Sequence, residues 1–341
     1  MVNTGNAQTI NNLTFGGGRV IYLDFIKCIG IICVIYGHVE LFGFGLSGSI
    51  VSDLIYTFNM PAFFFVSGYL ALKSRKAISE YLINAWKKIT MLLIPTIIFS
   101  LLWALSRKTG IDFTEGFGKY WFGCVLLECF IIYYMVCLVT KTEKQQLIFM
   151  TILSVAGIGY LSTGAGDKYL EVIELNHLTK YLHFFTLGMF AKYFSKYYLR
   201  ILDSELLRTI CVGLFFIIFF MLRYEELFPN ILERLLNDIL LRYLGLYIVV
   251  MLLYESSKQV KSDGRCAKII NLVAKNSFGI YLLQYFFLPD FRGQGWISNV
   301  DPFTIFIICA FFSLICTLVC LMVITVLSKS NVLCRYVLGK R

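Results

Sequence analysis

The stretch RVIYLDFIKCIGIICVIYGHVE, Arg19 to Glu40, decides the class of fold. As a helix it is long and apolar enough to cross a membrane, since about 20 residues at 1.5 Å of rise each span the hydrocarbon. Yet it carries Asp24, Lys27 and His38. Ionisable groups are costly in hydrocarbon and are kept where they face a protein interior or a polar cavity. Their spacing places them on one stripe. Lys27 and His38 stand eleven residues apart, roughly 20° from eclipsed and about 16 Å apart along the helix axis. Asp24 precedes Lys27 by three positions, within side-chain reach on the same face.

The rest of the chain repeats the apolar signal. Of 341 residues, 58% are apolar and only 15% charged, far from the balance of a water-soluble domain. Apolar runs predict ten spans, near 20–42, 50–72, 89–106, 120–140, 147–162, 179–195, 209–223, 237–255, 273–291 and 302–327, with the fifth and seventh short. Lysine and arginine then set the orientation. With the N-terminus inside, 19 of them fall in cytoplasmic segments and 6 on the opposite side. The expectation is an all-α membrane protein, a polytopic bundle of about ten transmembrane helices with both termini cytoplasmic. Residues 1–19 form a short cytoplasmic tail, 20–327 the transmembrane domain, and 328–341 a basic cytoplasmic tail. Met1 to Gly18 is polar and lacks a basic leader, so it reads as a tail and not as a signal peptide.

The lipid bilayer is thus the first expected partner. The net charge of +10 is dispersed over membrane-flanking loops, which removes the need for a nucleic-acid partner. Eleven cysteines lie mostly inside apolar runs without a CxxC pair, so they read as packing groups, and no metal site is expected. No P-loop, internal repeat or domain boundary stands out.

The stripe admits two readings. His38, with an imidazole that exchanges protons near neutrality, can act as a general base on a hydroxyl. Alternatively, Asp24 and Lys27 are a buried pair and His38 merely ends a helix at the interface. Other polar residues in or near spans have plainer readings. Glu128, Lys192 and Lys275 can line a cavity, but the two lysines lie near cytoplasmic ends and can instead snorkel to the interface. His177 is expected solvated in an outer loop, and His183 is the alternative base. Arg223 and Arg242 read as an interface marker and an ion-pair member.

At this point the residues resemble a known family. Lys27, ten intervening residues and His38 resemble the basic-X10-His motif of the acyltransferase 3 family of bacterial membrane acyltransferases. The segment NMPAFFFVSGY, Asn59 to Tyr69, is similar to that family's second-helix signature, and Lys87-Lys88 followed by LLIP to Pro95 is similar to the opening of its third helix. Trp121-Phe122, FFTLGMF from Phe184 and FGIYLLQ from Phe278 follow in the family's order, so the likeness runs from Arg19 to about Phe291. Two positions depart from it. Met91 stands where a second basic residue is common, and Gln284 stands where the ninth helix often carries histidine.

The resemblance implies a membrane O-acyltransferase of the bacterial cytoplasmic (inner) membrane. Its donor would be acetyl-CoA or another acyl-CoA, with no permanently bound cofactor. Its acceptor would be a hydroxyl of a cell-surface polysaccharide or lipid-linked glycan. His38 is then the catalytic residue, as general base or, in a rival mechanism, as the carrier of an acyl-histidine. Lys27 and Lys88 would help hold the donor, and Asp24 would hold Lys27 or orient a water. Asn59, Ser67, Tyr69, Tyr281 and Gln284 complete the candidate substrate residues. The donor's nucleotide would stay on the basic side near Lys73, Arg75, Lys76, Lys87 and Lys88, and its pantetheine arm would run past Lys27 toward His38. Assembly as a homo-oligomer is left open. The reading from another class is a secondary transporter that uses the Asp24, Lys27 and His38 stripe as a proton or substrate path; it would favour broken helices in matching repeats.

Overall fold

The apolar run of the Arg19–Glu40 stretch is helical from Ile21 onward. The computed structural model describes residues 14–15, 19–73, 77–107, 118–163, 174–224, 236–261, 264–294 and 300–340. Among these the only strands are Thr14–Phe15 and Arg19–Val20, two residues each. Everything larger is helical. In chain order the helices are α1 (Ile21–His38), α2 (Ile50–Tyr56), α3 (Asn59–Ala71), α4 (Ile78–Lys88), α5 (Ile94–Arg107), α6 (Trp121–Val139) and α7 (Glu143–Thr163). They continue with α8 (Leu175–Tyr193), α9 (Ser195–Leu202), α10 (Glu205–Tyr224), α11 (Arg242–Lys258), α12 (Arg265–Leu283), α13 (Pro302–Leu327) and α14 (Asn331–Tyr336).

Several helices join through wider π-helical turns. Val39–Phe44 extends α1, Ile89–Leu93 links α4 to α5, and Leu236–Leu241 leads into α11. The second has an evident cause. Pro95 has no N–H for the helical ladder, and the turn before it rewinds.

Among the described residues, seven helical segments are long and apolar enough to cross a membrane: Ile21–Phe44, Ile50–Ala71, Ile78–Ser106, Gly118–Val139, Glu205–Arg223, Leu236–Lys258 and Pro302–Leu327. Helices also occupy the other three expected spans, as α7, α8 and α12, but they are more polar. The first opens on Glu143-Lys144-Gln145-Gln146, the second carries His177, Lys180, His183 and Lys192, and the third Arg265, Lys268 and Lys275. The fifth and seventh spans, expected short, are helices of 21 and 20 residues.

The chain divides into two compact units. One comprises Met1–Phe63, Leu199–Phe278 and Leu288–Leu321. In it α1 packs against α11, with Tyr22 and Tyr254 edge to face at 5.7 Å. Phe215 and Phe219 of α10 pack with Leu241 and Leu244, and Leu54 of α2 joins them. Arg223 pairs with Asp53 and donates to the Gly48 carbonyl at 2.7 Å, so it ties the end of α10 to α2. Arg242 pairs with Asp238 one turn earlier at 3.1 Å, as an ion-pair member should.

The other unit comprises Phe64–Tyr198, Gly279–Phe287 and Met322–Arg341. Its α3 and α8 cross backbone to backbone. A Cβ on Gly68 would overlap the Phe185 carbonyl, and one on Gly188 would overlap the Phe65 carbonyl. Small residues at a crossing of membrane helices allow this approach. Because the obstacle is backbone, it cannot turn aside. We expect Gly68→Ala and Gly188→Ala each to cost more than about 3 kcal/mol, beyond the usual overpacking range. Thermal unfolding of the detergent-solubilised variants reads this directly, and wild-type melting would refute it.

Candidate functional site

The first candidate is the stripe on α1. Asp24 is 1% exposed, and its carboxylate accepts the Lys27 ammonium at 3.0 Å. That is the pairing the three-residue spacing predicts. The Lys27 charge is therefore met within its own helix, next to a turn kept narrow by Gly30 against the Phe63 ring. His38 is half-buried at the last α-helical position, where the wider turn begins, with its ring 5.5 Å from Phe42. Such turns inside helices recur at functional sites.

One residue here escaped the sequence reading. Glu40, two residues beyond His38, is 2% exposed and accepts a hydrogen bond from the Ser52 hydroxyl. Its signal was present: an acidic residue inside the expected span 20–42 needs a partner as much as Asp24 does.

The second candidate is a cavity of about 420 Å³ within the other unit, inside the roughly 300–1,000 Å³ range of small-molecule sites. Three stripes line it. Tyr81, Asn84, Lys87, Lys88 and Met91 come from α4 and the turn after it, Phe130, Tyr133 and Tyr134 from α6, and Ser67, Leu70, Ala71 and Lys73 from the end of α3. Each set follows helical three- and four-residue spacing, apart from Lys73 just past α3. The Lys88 ammonium lies 3.7 Å from the centre of the Phe130 ring, a cation–π contact that holds the charge at the wall. The cavity thus joins two predicted residues, Ser67 and Lys88, with the basic patch residues Lys73 and Lys87. Arg75 and Lys76 lie outside the described residues. The aromatic wall and Asn84 were not foreseen.

The remaining candidates sit elsewhere. Asn59 is 2% exposed, and its side chain accepts the Met60 N–H at 2.7 Å, opening α3. Tyr69 is buried beneath the Lys192 ammonium, 5.2 Å from its ring centre. Tyr281 donates to the Lys119 carbonyl at 2.8 Å, and Gln284, fully buried, donates to the Tyr281 carbonyl at 3.2 Å.

The second and third histidines need separate accounts. His183 is 3% exposed with its ring against Phe184. His177 corrects an expectation. It lies in helix α8, not in an outer loop, stacked on Trp121 at 4.2 Å, with Nδ1 2.9 Å from the Glu174 carboxylate. The stack continues through Tyr181 to Phe64. No local pattern announces a contact between residues so far apart in the chain.

Apolar helices of spanning length, with an ionisable stripe within one of them, define a multi-pass membrane protein, and a lysine-rich cavity opens in one of its units. The comparison with known families gives that class its chemistry. Residues 20–322 match the acyltransferase 3 model, described as an acyltransferase domain, and the chain belongs to that family. It is a membrane acyltransferase, and nothing in the comparison favours the transporter reading of the stripe. No curated protein and no solved structure matches the chain.

Proposed function

We propose that this membrane acyltransferase moves an acetyl group from acetyl-CoA to a hydroxyl of a cell-surface polysaccharide or lipid-linked glycan. The observation that carries the donor half is the cavity where Lys73, Lys87 and Lys88 meet a wall of Phe130, Tyr133 and Tyr134. Coenzyme A is a polyanion with a flat adenine. Lysines match its phosphates as point charges, and aromatic faces match its base. Its charge keeps it out of hydrocarbon.

In this reading the helices form about ten spans of a bacterial cytoplasmic membrane. Both termini and the lysines of the cavity then lie on the cytoplasmic side, where acyl-CoA is found. His38 is the general base. It takes the proton of the acceptor hydroxyl as the oxygen attacks the thioester carbonyl. The carbon–sulfur bond then breaks, the proton passes to the departing sulfur, and free coenzyme A and the acyl ester result. The Asp24–Lys27 pair lies on the same stripe, about 16 Å from His38 along the helix axis.

The test is transfer itself. Purified protein in liposomes, given labelled acetyl-CoA and a lipid-linked glycan, should move label to the glycan with release of one coenzyme A per ester. Label that moves only to water, or not at all across a panel of glycan lipids, would refute the acceptor class.

A further inference from the structure

Met91 belongs to the cavity wall, and its backbone has an unusual neighbour. In a regular α-helix its carbonyl would accept the N–H of residue 95, but Pro95 has none to give. In the wider turn here that carbonyl lies against Gly339. A Cβ on Gly339 would overlap the Met91 oxygen and crowd its carbonyl carbon and Cα. Gly339 also has a φ of 62°, in the left-handed region that favours glycine. The contact therefore requires a residue without a side chain.

The surrounding segment is anchored. Helix α14 packs on the turn Ile89–Leu93, and Leu338 is 2% exposed beside Gly279. The Lys340 N–H donates to the Cys334 carbonyl at 3.0 Å. Lys340 is thus fixed one peptide, about 3.8 Å between Cα atoms, beyond the residue that touches the cavity wall. Burial pulls its ammonium below the ordinary lysine range, against a smaller opposing effect of Cys334. A phosphate would favour the charged form of such a group.

We propose that Lys340 is a further donor-binding residue, brought to the cavity by the Gly339–Met91 backbone contact to bind a phosphate of the acyl-CoA beside Lys87 and Lys88. This rests on the reading of the cavity as the donor site. It gives the segment after α13 a role in binding, where sequence alone suggests only a basic tail.

Equilibrium binding of coenzyme A to the full chain in lipid nanodiscs tests it. Lys340→Ala should weaken binding about tenfold, and Lys340→Arg should keep it within about twofold, as for a charged hydrogen bond. Melting temperatures should not move. Gly339→Ala should weaken coenzyme A as Lys340→Ala does, because its Cβ displaces the segment. If that variant does not fold, the two Lys340 variants carry the test. Wild-type affinity in Lys340→Ala, with weakened binding in Lys88→Ala, overturns the inference and leaves the cavity assignment standing. Equal losses in Lys340→Ala and Lys340→Arg show a structural role only and overturn it as well. No binding by the wild type overturns both.

Discussion

Replacement of His38 by alanine should abolish acyl transfer while the protein remains folded and still binds coenzyme A. A positioned general base contributes about 10²- to 10⁴-fold, so the variant should fall to the background of uncatalysed transfer. The separation from folding has a structural basis. His38 is half-buried at the end of α1, with Phe42 as its aromatic neighbour, and α1 is held along its length by other residues such as Tyr22 against Tyr254. The loss should appear in kcat and kcat/KM together, since the base acts in the transition state and not in donor binding. His38→Gln, which keeps hydrogen bonding but cannot accept a proton at neutral pH, should be as inactive as His38→Ala. Activity in His38→Gln would remove the base role, whatever the alanine variant does. A trapped acyl group on His38 in the wild type would instead favour the covalent route.

The stripe on α1 was legible because two independent signals coincide there. Charge in an apolar run marks a residue that needs a partner, and helical spacing says which partner it has. Asp24 and Lys27 meet at 3.0 Å, as those signals require. Glu40 carried the first signal without the second, since its partner Ser52 comes from another helix, and it was missed.

The cavity was legible only in its charged half. Lys87 and Lys88 stand out in any apolar chain, whereas Phe130, Tyr133 and Tyr134 are lost among 31 phenylalanines and 21 tyrosines. A stripe of aromatics at helical spacing looks the same whether it packs on a neighbour or faces a ligand. Spacing along α4 and the turn after it did hold information: Tyr81, Asn84, Lys88 and Met91 recur on one face. The close crossings were beyond reach for a different reason. Gly68 meets Phe185, and Met91 meets Gly339, at separations that no local pattern encodes. The number of spans lay between these cases. Helices occur at all ten expected places, and among the described residues seven meet the length and apolarity of a membrane crossing, while α8 and α12 carry lysines within their length.

Lys88→Ala should raise the KM for acetyl-CoA about tenfold to thirtyfold, with kcat changed far less, as expected for loss of a charged contact to phosphate. Its position explains the split. The ammonium rests on the Phe130 ring at the wall of the cavity, among residues assigned to the nucleotide and not to the reacting carbonyl. Lys88→Arg should recover most of the affinity, since a guanidinium can also stack on the ring and bind phosphate. Lys88→Met keeps the apolar stem and loses only the charge, so it should behave like the alanine variant if phosphate is what Lys88 holds. A Lys88→Met variant with wild-type KM would mean that the stem matters and the charge does not, and the cavity would then lose its claim to the donor. High salt provides an independent check. The advantage of wild type over Lys88→Met should shrink as salt screens the exposed part of the attraction, while an effect due to packing would persist.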